Sequence, residues 1–492
     1  MRKRKTPMHD ALSDVEDFLS PSWTERRRVR YDYTNSLAAV VGEKHGVPHE
    51  ELKRFAKDNQ YILKEFRRKE EKGELGFTQL PSTVEYREQV SRFLLKAKGK
   101  FDYLVVLGIG GSALGLVALQ EALKPEAKIP YAPPSRRVFP SLHVVDNVDP
   151  SLVSSVLNRV DLNRTLINVI SKSGSTLETL ANFLVFRSAL IEAVGYANHP
   201  RHIVVTTTMG EGYLFELAQK EGYQLFGIPR NVGGRFSVLS PVGLLPAGLI
   251  GIDLMELLAG AHYMKELCHS LPSMENIPFL SAVIQHLLDT RRGKGIQVFF
   301  AYSSLLRGLA RWYQQLWAES LGKRLNRQGE EVFCGQTPLV SIGTTDQHSL
   351  LQLFAEGPNN KSITFLEVSH LPDQLIIEEE PSPHEITDYL KGKSLQEVLL
   401  AERRATELSL TSSARPNTTF ILPEISPFTL GELIYLFELQ TAYAGELYRV
   451  NPYDQPGVEE GKRTAYAMLG RRGYREKQRE IEKKLPPKRY II

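Results

Sequence analysis

Short apolar runs alternate with helix-forming stretches through most of this 492-residue chain, and that alternation narrows the folds open to it. Tyr103–Leu107, Leu142–Val145, Thr165–Ile170, His202–Thr206 and Tyr223–Ile228 are strand-length runs without a consistent polar face. Helical patterns fill the gaps between them, among them Leu152–Val160, Leu177–Ala193 and Tyr213–Lys220. Parallel strands need long, usually helical crossovers and are buried on both faces. The pattern therefore predicts a parallel sheet between two helical layers, with right-handed crossovers. A second round begins near residue 280. Its predicted helices are Phe279–Thr290, Leu305–Leu321, Gln347–Phe354, Ser394–Leu408 and Leu430–Tyr443. Its predicted strands are Gln297–Tyr302, Leu339–Ile342, Ser362–Val368 and Thr418–Leu422. The two rounds are alike in class, and no residue-level repeat relates them.

Outside these units, residues 10–75 are rich in charges and helix formers, as in Leu52–Lys72, and read as helices wrapping the outside. Glu85–Lys98 is one more amphipathic helix, Leu371–Pro383 a surface excursion, and Arg471–Lys484 a charged surface helix. The net charge of +4 is too balanced to argue for a nucleic-acid partner. Cys268 and Cys334 have neither CxxC spacing nor an adjacent histidine, which argues against a zinc site and for a reducing compartment. The basic Met1–Thr6 start has no apolar segment after it, so it is not a signal peptide. Leu239–Ile252 is broken by Pro241, Gly243, Pro246, Gly248 and Gly251 and is too short to span a membrane. A soluble, cytoplasmic protein without a membrane partner is the expectation.

Chemistry concentrates at the turns after strands. Ser171-Lys172-Ser173-Gly174-Ser175-Thr176 joins a strand to a helix. Unpaired N–H groups at a helix start, four hydroxyls and one lysine suit a phosphate, although a Ser/Thr cluster also serves as a plain helix cap. Gly108-Ile109-Gly110-Gly111-Ser112 lies on the same rim, where open α/β sheets bind ligands. It departs from a dinucleotide fingerprint, with Ala113 at the third glycine position and no acidic residue in Ile129–Pro134. Gly233-Gly234-Arg235-Phe236-Ser237 would aim a guanidinium into a pocket or leave it on a surface turn. Gln315 and Glu319 share a helix face near Trp312, Tyr313 and Trp317. A carboxylate among aromatics suits a general base, and an exposed glutamate making a surface pair is the alternative. His348, in Gly343–His348, stands where a strand leads into a helix; it is placed for proton transfer or belongs to a capping cluster with Asp346 or Thr345. In Tyr453–Lys462, a helix starting at Pro456 would set Gln455 and Lys462 two turns apart on one side.

Taken together, these stretches resemble the phosphoglucose isomerase family. Gly233–Ser237 and Asp454-Gln455-Pro456-Gly457-Val458-Glu459 with Lys462 match its two signatures. The 108–112 and 171–176 loops, Glu319–Lys323 and Gln347-His348 occur in the family's order. The resemblance implies an α/β fold of two sugar-isomerase (SIS) α-β-α sandwiches with mainly parallel sheets. It divides the chain into a helical arm at 1–75, SIS-type units at 76–265 and 285–450, and a helical segment at 451–492. It implies interconversion of glucose 6-phosphate and fructose 6-phosphate through an enediolate, without metal or cofactor. It also implies a homodimer with the active site at the subunit boundary. By matching motifs, Ser171, Ser173, Ser175 and Thr176 would hold the phosphate with Lys172 close by. Gly111, Ser112 and Gln315 would line the sugar site, and Gln455 would contact substrate. Glu319 would move the proton between C2 and C1, and Arg235 would stabilise the enediolate. Lys462, with His348 from the partner subunit, would assist ring opening. A non-catalytic sugar-phosphate sensor would need no such set. The aminating relative needs an N-terminal cysteine, which this chain lacks before Cys268.

Overall fold

The computed structural model describes residues 24, 27–124, 139–379, 384–484 and 491. The expected helices before residue 24, the basic start, Ile129–Pro134 and the last residues of the 371–383 excursion lie outside these. The chain enters through β1 (Arg30–Asp32), α1 (His49–Asp58), α2 (Tyr61–Glu71) and α3 (Val84–Ala97). The single stretch read at Leu52–Lys72 is two helices, because Asn59 folds its amide back onto the Phe55 carbonyl at 2.9 Å and ends the first. These helices do more than wrap the outside: Leu52, Ile62 and Phe66 join the main core.

The first sheet is built from β2 (Tyr103–Leu107), α4 (Leu114–Leu123), β3 (Ser141–Val145), α5 (Pro150–Leu157), β4 (Thr165–Ile170), α6 (Leu177–Val194), β5 (Ile203–Thr207), α7 (Tyr213–Glu221) and β6 (Gln224–Gly227). Its order is β3-β2-β4-β5-β6, parallel throughout. Val105, Leu107, Ile167, Val169 and Val205 pack with Phe183 and Phe186 of α6. Leu104, Val106, Leu166 and Val204 lie in the other core. Two covered faces account for the unbroken apolar runs.

The chain continues through α8 (Pro241–Leu249), α9 (Leu254–Ser270) and α10 (Ile277–Arg292) to β7 (Ile296–Ala301) and α11 (Arg307–Leu321). A hairpin of β8 (Lys323–Leu325) and β9 (Glu331–Cys334) leads to β10 (Thr337–Ile342), α12 (Leu351–Ala355) and β11 (Lys361–His370). Then come α13 (Leu395–Ser412), β12 (Asn417–Glu424), α14 (Pro427–Leu447), α15 (Glu459–Met468) and α16 (Arg475–Lys484). The second sheet runs β1-β12-β11-β7-β10, with only β1 antiparallel. In each sheet the unit's second strand lies outside the first, and the third and fourth follow on its other side. The expected α/β class with two mainly parallel sheets is borne out, and the shared strand order is a likeness that residue comparison did not reveal.

One continuous apolar core joins the two sheets. Leu104 and Val106 from the first sheet and Phe299, Leu366 and Phe420 from the second belong to it, with side chains of α8, α9, α10, α11 and α14. The Pro/Gly-broken stretch at 239–252 is the buried α8. Pro241 opens the helix, and the Ser240 hydroxyl accepts from the Val242 N–H at 3.3 Å. The predicted helix Gln347–Phe354 is instead a 3₁₀ turn, Thr345–His348, followed by α12. There Asp346 turns back to accept from the Ile342 N–H at 2.7 Å.

Helices α9 and α14 cross backbone to backbone. A Cβ on Gly260 would lie 1.9 Å from the Phe428 carbonyl oxygen, and one on Gly431 would lie 1.9 Å from that of Leu257. A fixed backbone cannot yield as a flexible side chain does. Gly431→Ala is therefore expected to destabilise the fold by about 1–3 kcal/mol. Gly461→Ala, where a Cβ meets nothing within 4 Å, should leave stability intact. Thermal unfolding of the two variants side by side checks this.

Candidate active site

The first sheet's strand order reverses between β2 and β4. The chain leaves β2 for one side and returns to β4 on the other, so the loops after these strands part and open a crevice. The Gly108–Ser112 and Ser171–Thr176 loops follow those two strands. Topology alone brings them to one place.

In the serine loop, hydroxyls face one another. Ser171 Oγ lies 2.8 Å from Thr176 Oγ1, Ser173 Oγ lies 3.4 Å from the same atom, and the Ser175 N–H donates to Ser173 Oγ at 3.3 Å. Gly174 takes φ +64° so that the turn can close. Thr176 precedes the 18-residue α6 but its side chain makes no capping bond. The cluster thus gathers donors at a helix start without spending Thr176 as a cap. Lys172 turns elsewhere: its Nζ donates to the Arg230 carbonyl at 2.8 Å, and burial lowers its pKa.

Arg235 is 2% exposed, on a 3₁₀ turn, and every side of its guanidinium is engaged. Nε donates to Ser320 Oγ at 2.7 Å, and Nη2 to the carbonyls of Pro452 and, at 3.0 Å, Asp454. Nη1 points to Gln455 Oε1 at 3.1 Å and to Glu319 Oε2 at 3.4 Å. Burial pushes the guanidinium pKa down, while the Glu319 and Asp454 charges oppose that. Gln315, one turn before Glu319, donates to Glu319 Oε2 at 3.3 Å. Its Oε1 is buried without a protein partner.

The glycine loop packs against this cluster. A Cβ on Gly111 would fall 2.2 Å from the Gly234 carbonyl carbon, and one on Gly110 would fall 2.9 Å from Gln315 Nε2. Ser112 is half-buried in the same loop, its N–H donating to the Ile109 carbonyl at 3.2 Å. Helix α11, which carries Gln315 and Glu319, crosses α4 closely at Gly308, where a Cβ would meet Ala118 Cα at 2.9 Å.

Two expectations need correction. Trp312, Tyr313 and Trp317 are buried in the core, Tyr313 with its ring centroid 4.8 Å from that of Phe437. The Glu319 side chain, 27% exposed, contacts Arg235 and Gln315, so its setting is polar and not aromatic. Gln455 has φ −152° and ψ 64°, and residues 456–458 form a 3₁₀ turn before α15. Gln455 therefore reaches Arg235 from a non-helical backbone and does not share a helix side with Lys462.

Lys462 lies on exposed α15 and pairs with Glu459 at 2.8 Å. One turn on, Tyr466 Oη donates to the Ser175 carbonyl at 3.3 Å, which sets this helix against the serine loop. His348 is exposed beyond β10, on the carboxyl rim of the second sheet. Among the described residues, no hydrogen bond or ion pair joins His348 or Lys462 to Glu319 or Arg235. A separate cavity of about 330 Å³ is lined by Lys172, Arg230, Asn231, Phe236 and Tyr453, and Glu319 is not on its wall.

Sequence reasoning quoted Lys323 at the end of the Glu319–Lys323 stretch and gave it no role. Its Nζ donates to the Glu319 carbonyl at 2.9 Å and the Asp454 carbonyl at 2.6 Å, with Asp454 Oδ1 at 3.2 Å. It thereby ties the end of α11 to the 452–455 segment. Burial lowers its pKa and Asp454 works against that. The signal available was its position four residues after Glu319.

Residues 92–481 match the model of the family described as phosphoglucose isomerase. A glucose-6-phosphate isomerase of Carboxydothermus hydrogenoformans is 44% identical over 431 residues, 87% of this chain and 92% of that one. One of Thermus thermophilus is 40% identical over 388 residues, 79% of this chain and 88% of the relative. Among solved structures, a hypothetical protein of Thermus thermophilus superposes with TM-score 0.80 at 37% identity, covering 90% of this chain and all of its own (100%). A glucose-6-phosphate isomerase of Chlamydia trachomatis superposes with TM-score 0.75 at 22% identity, covering 97% and 99%, and speaks for the fold.

Proposed function

The chain belongs to the phosphoglucose isomerase family and interconverts glucose 6-phosphate and fructose 6-phosphate; we propose that Glu319 shuttles the proton between C1 and C2 opposite the Arg235 guanidinium. The observation that carries this reading is the Glu319–Arg235–Gln315–Gln455 cluster on the rim where the glycine loop meets the Gly234–Arg235 turn.

An aldose–ketose exchange moves one proton between neighbouring carbons, so a single carboxylate above both can take it and return it. Removing the proton leaves an enediolate, whose oxygen gains charge. Arg235 is suited to meet that charge because Nε and Nη2 are fixed to Ser320, Pro452 and Asp454, leaving the Nη1 edge beside Glu319. A cation held this way needs no reorganisation as the charge develops. Gln315 Oε1 and Gln455 offer polar contacts to sugar hydroxyls. Ser171, Ser173, Ser175 and Thr176 hold the phosphate, with Lys172 at the loop's edge, and binding energy there positions carbons that the loop never touches. Gly111 and Ser112 line the sugar side.

Ring opening falls to Lys462 and His348. Tyr466 brings α15, and Lys462 with it, to the serine loop. His348 is exposed on the other sheet's rim, free to serve a neighbouring subunit, and we read the working unit as a homodimer with shared sites. No helix of the described residues is long and apolar enough to cross a membrane, and we read the protein as cytoplasmic.

Incubation with fructose 6-phosphate in heavy water should place deuterium at C2 of glucose 6-phosphate. A carboxylate that returns the same proton delays the label, so the deciding result is substrate and product still free of deuterium after many turnovers at equilibrium, which would replace proton transfer with direct hydride transfer. Glu319→Gln should keep sugar-phosphate affinity within a few-fold and lower kcat by about 10³-fold or more; wild-type turnover would remove Glu319 from the role. The double variant Ser173→Ala, Thr176→Ala should raise the dissociation constant for substrate by about tenfold or more, and unchanged affinity would move the phosphate elsewhere. Gly111→Ala should push the glycine loop off the Arg235 turn and lower kcat/KM by about 10²-fold, with circular dichroism reporting an unchanged fold.

A further inference from the structure

We propose that the amino-terminal edge of the second sheet holds a site for a phosphate dianion, free or as a compact monoester, formed by Lys44, His45, Lys294, Lys361 and Arg415. Strands β7, β11 and β12 are parallel, so the segments that lead into them share one edge. Lys294 lies two residues before β7, Lys361 opens β11, and Arg415 lies two residues before β12. Exposed Lys44 and half-buried His45 come from the 42–47 turn to the same place. This edge is opposite the carboxyl rim that carries His348.

These cations have neutral partners. Lys294, 0% exposed, donates to the Asn359 carbonyl at 2.6 Å and to its Oδ1 at 2.7 Å, with His45 Nδ1 at 3.1 Å. Lys361, 5% exposed, donates to the Pro358 carbonyl and to Asn360 Oδ1 at 3.0 and 2.9 Å. Arg415, 9% exposed, donates from Nη2 to the Ala355 carbonyl at 2.6 Å. Asn359 also donates to the Ala414 carbonyl at 2.9 Å, binding the Lys294 and Arg415 segments together. Among the described residues, none of Lys44, Lys294, Lys361 and Arg415 has a carboxylate within 4 Å. Glu356, the acid next in sequence to Ala355, accepts from Gln352 at 2.8 Å.

Arg415 supplies an observation of a different kind. Its Nε and Nη1 are both buried and have no partner. Buried guanidinium N–H groups are seldom left without an acceptor, and a buried charge is costly unless something compensates it. The neighbours make this worse. Burial and then Arg415, Lys44 and Lys361 lower the Lys294 pKa to about 8, each of these neighbours by repulsion. A phosphate supplies several acceptor oxygens and two negative charges, which a single carboxylate does not. Lys294, Lys361 and Arg415 are each more than nine-tenths buried, which suits a small ion and not an extended nucleic-acid backbone.

Titration calorimetry of the full-length protein with inorganic phosphate tests this. Two binding events per chain are expected, one at the serine loop and one here. The double variant Ser173→Ala, Thr176→Ala should remove the first alone. Arg415→Met should weaken the second at least tenfold with kcat and KM for fructose 6-phosphate unchanged. Lys44→Glu, on exposed backbone where folding is not at stake, should also weaken the second, and in phosphate-free buffer it should raise the melting temperature by neutralising the cluster. Glycerol 2-phosphate titrated in parallel separates the two sources: binding at this site extends it to monoesters, and binding of phosphate alone restricts it to the free ion. A single event that the serine-loop variant abolishes would overturn the proposal, as would affinities that neither Arg415→Met nor Lys44→Glu changes by more than twofold. Should the serine-loop variant keep both events while Lys44→Glu loses one, the phosphate assignment at 171–176 fails and this site stands.

Discussion

A single buried guanidinium holds three remote parts of the chain in register. Arg235 bonds to its own turn's surroundings through Ser320 on α11 and through Pro452, Asp454 and Gln455 beyond α14. The Pro452 carbonyl and the Ser320 hydroxyl it satisfies are themselves buried, so the charge and these acceptors depend on one another. Losing the cation would leave both unpaired, and losing the acceptors would leave a buried charge, each a heavy cost. The fold can therefore form the 233–237 turn, the end of α11 and the 452–455 segment only in the arrangement that also sets Nη1 beside Glu319. Stability and site geometry are the same constraint here.

Lys323 repeats the arrangement on a smaller scale. It bonds to the Glu319 and Asp454 carbonyls, joining the same two segments from the other side. Burial disfavours the charge on both cations, and the Asp454 and Glu319 carboxylates favour it. The cluster at Lys294, Lys361 and Arg415 differs in that respect: its partners are neutral and its cations repel one another. A balanced network needs nothing added, whereas an unbalanced one is completed from outside.

What was legible in the sequence follows from how local each signal is. Strands β2, β4 and β7 announce themselves, because a strand buried on both faces is apolar along most of its length, Asn168 of β4 and Gln297 of β7 being buried exceptions. The loops that follow them are legible for the same reason, since glycine and serine runs stand out after such strands. Helix α8 was not, because Pro241 and Pro246 look like breakers until Pro241 is seen in the first turn and the whole helix is seen buried. Helix α9 was not read because its first half, Leu254–Ala261, has one polar side chain, Glu256, and its other polar residues gather in the second half, so neither half shows the alternation of a surface helix. Trp312, Tyr313 and Trp317 suggested an aromatic setting for Glu319 because sequence proximity ignores where the rings pack; all three went to the core. The partners of Arg235 lie far along the chain, and no local pattern announces a contact of that kind.

The proposed site draws on both sheets. The loops that gather at the first sheet's switch point carry hydroxyls and glycines but no carboxylate of their own. The carboxylate comes from α11, the crossover between β7 and β10 of the second sheet. Gly308 lets α11 lie against Ala118 of α4, the helix that begins just after the glycine loop. That close crossing fixes the distance between the two units at the point where it matters, and from Gly308 the helix runs three turns to Glu319. A larger residue at the crossing would move α11 as a rigid body. It would carry Gln315 and Glu319 away from the 108–112 loop while leaving each sheet intact, because neither sheet's own hydrogen bonds pass through that contact.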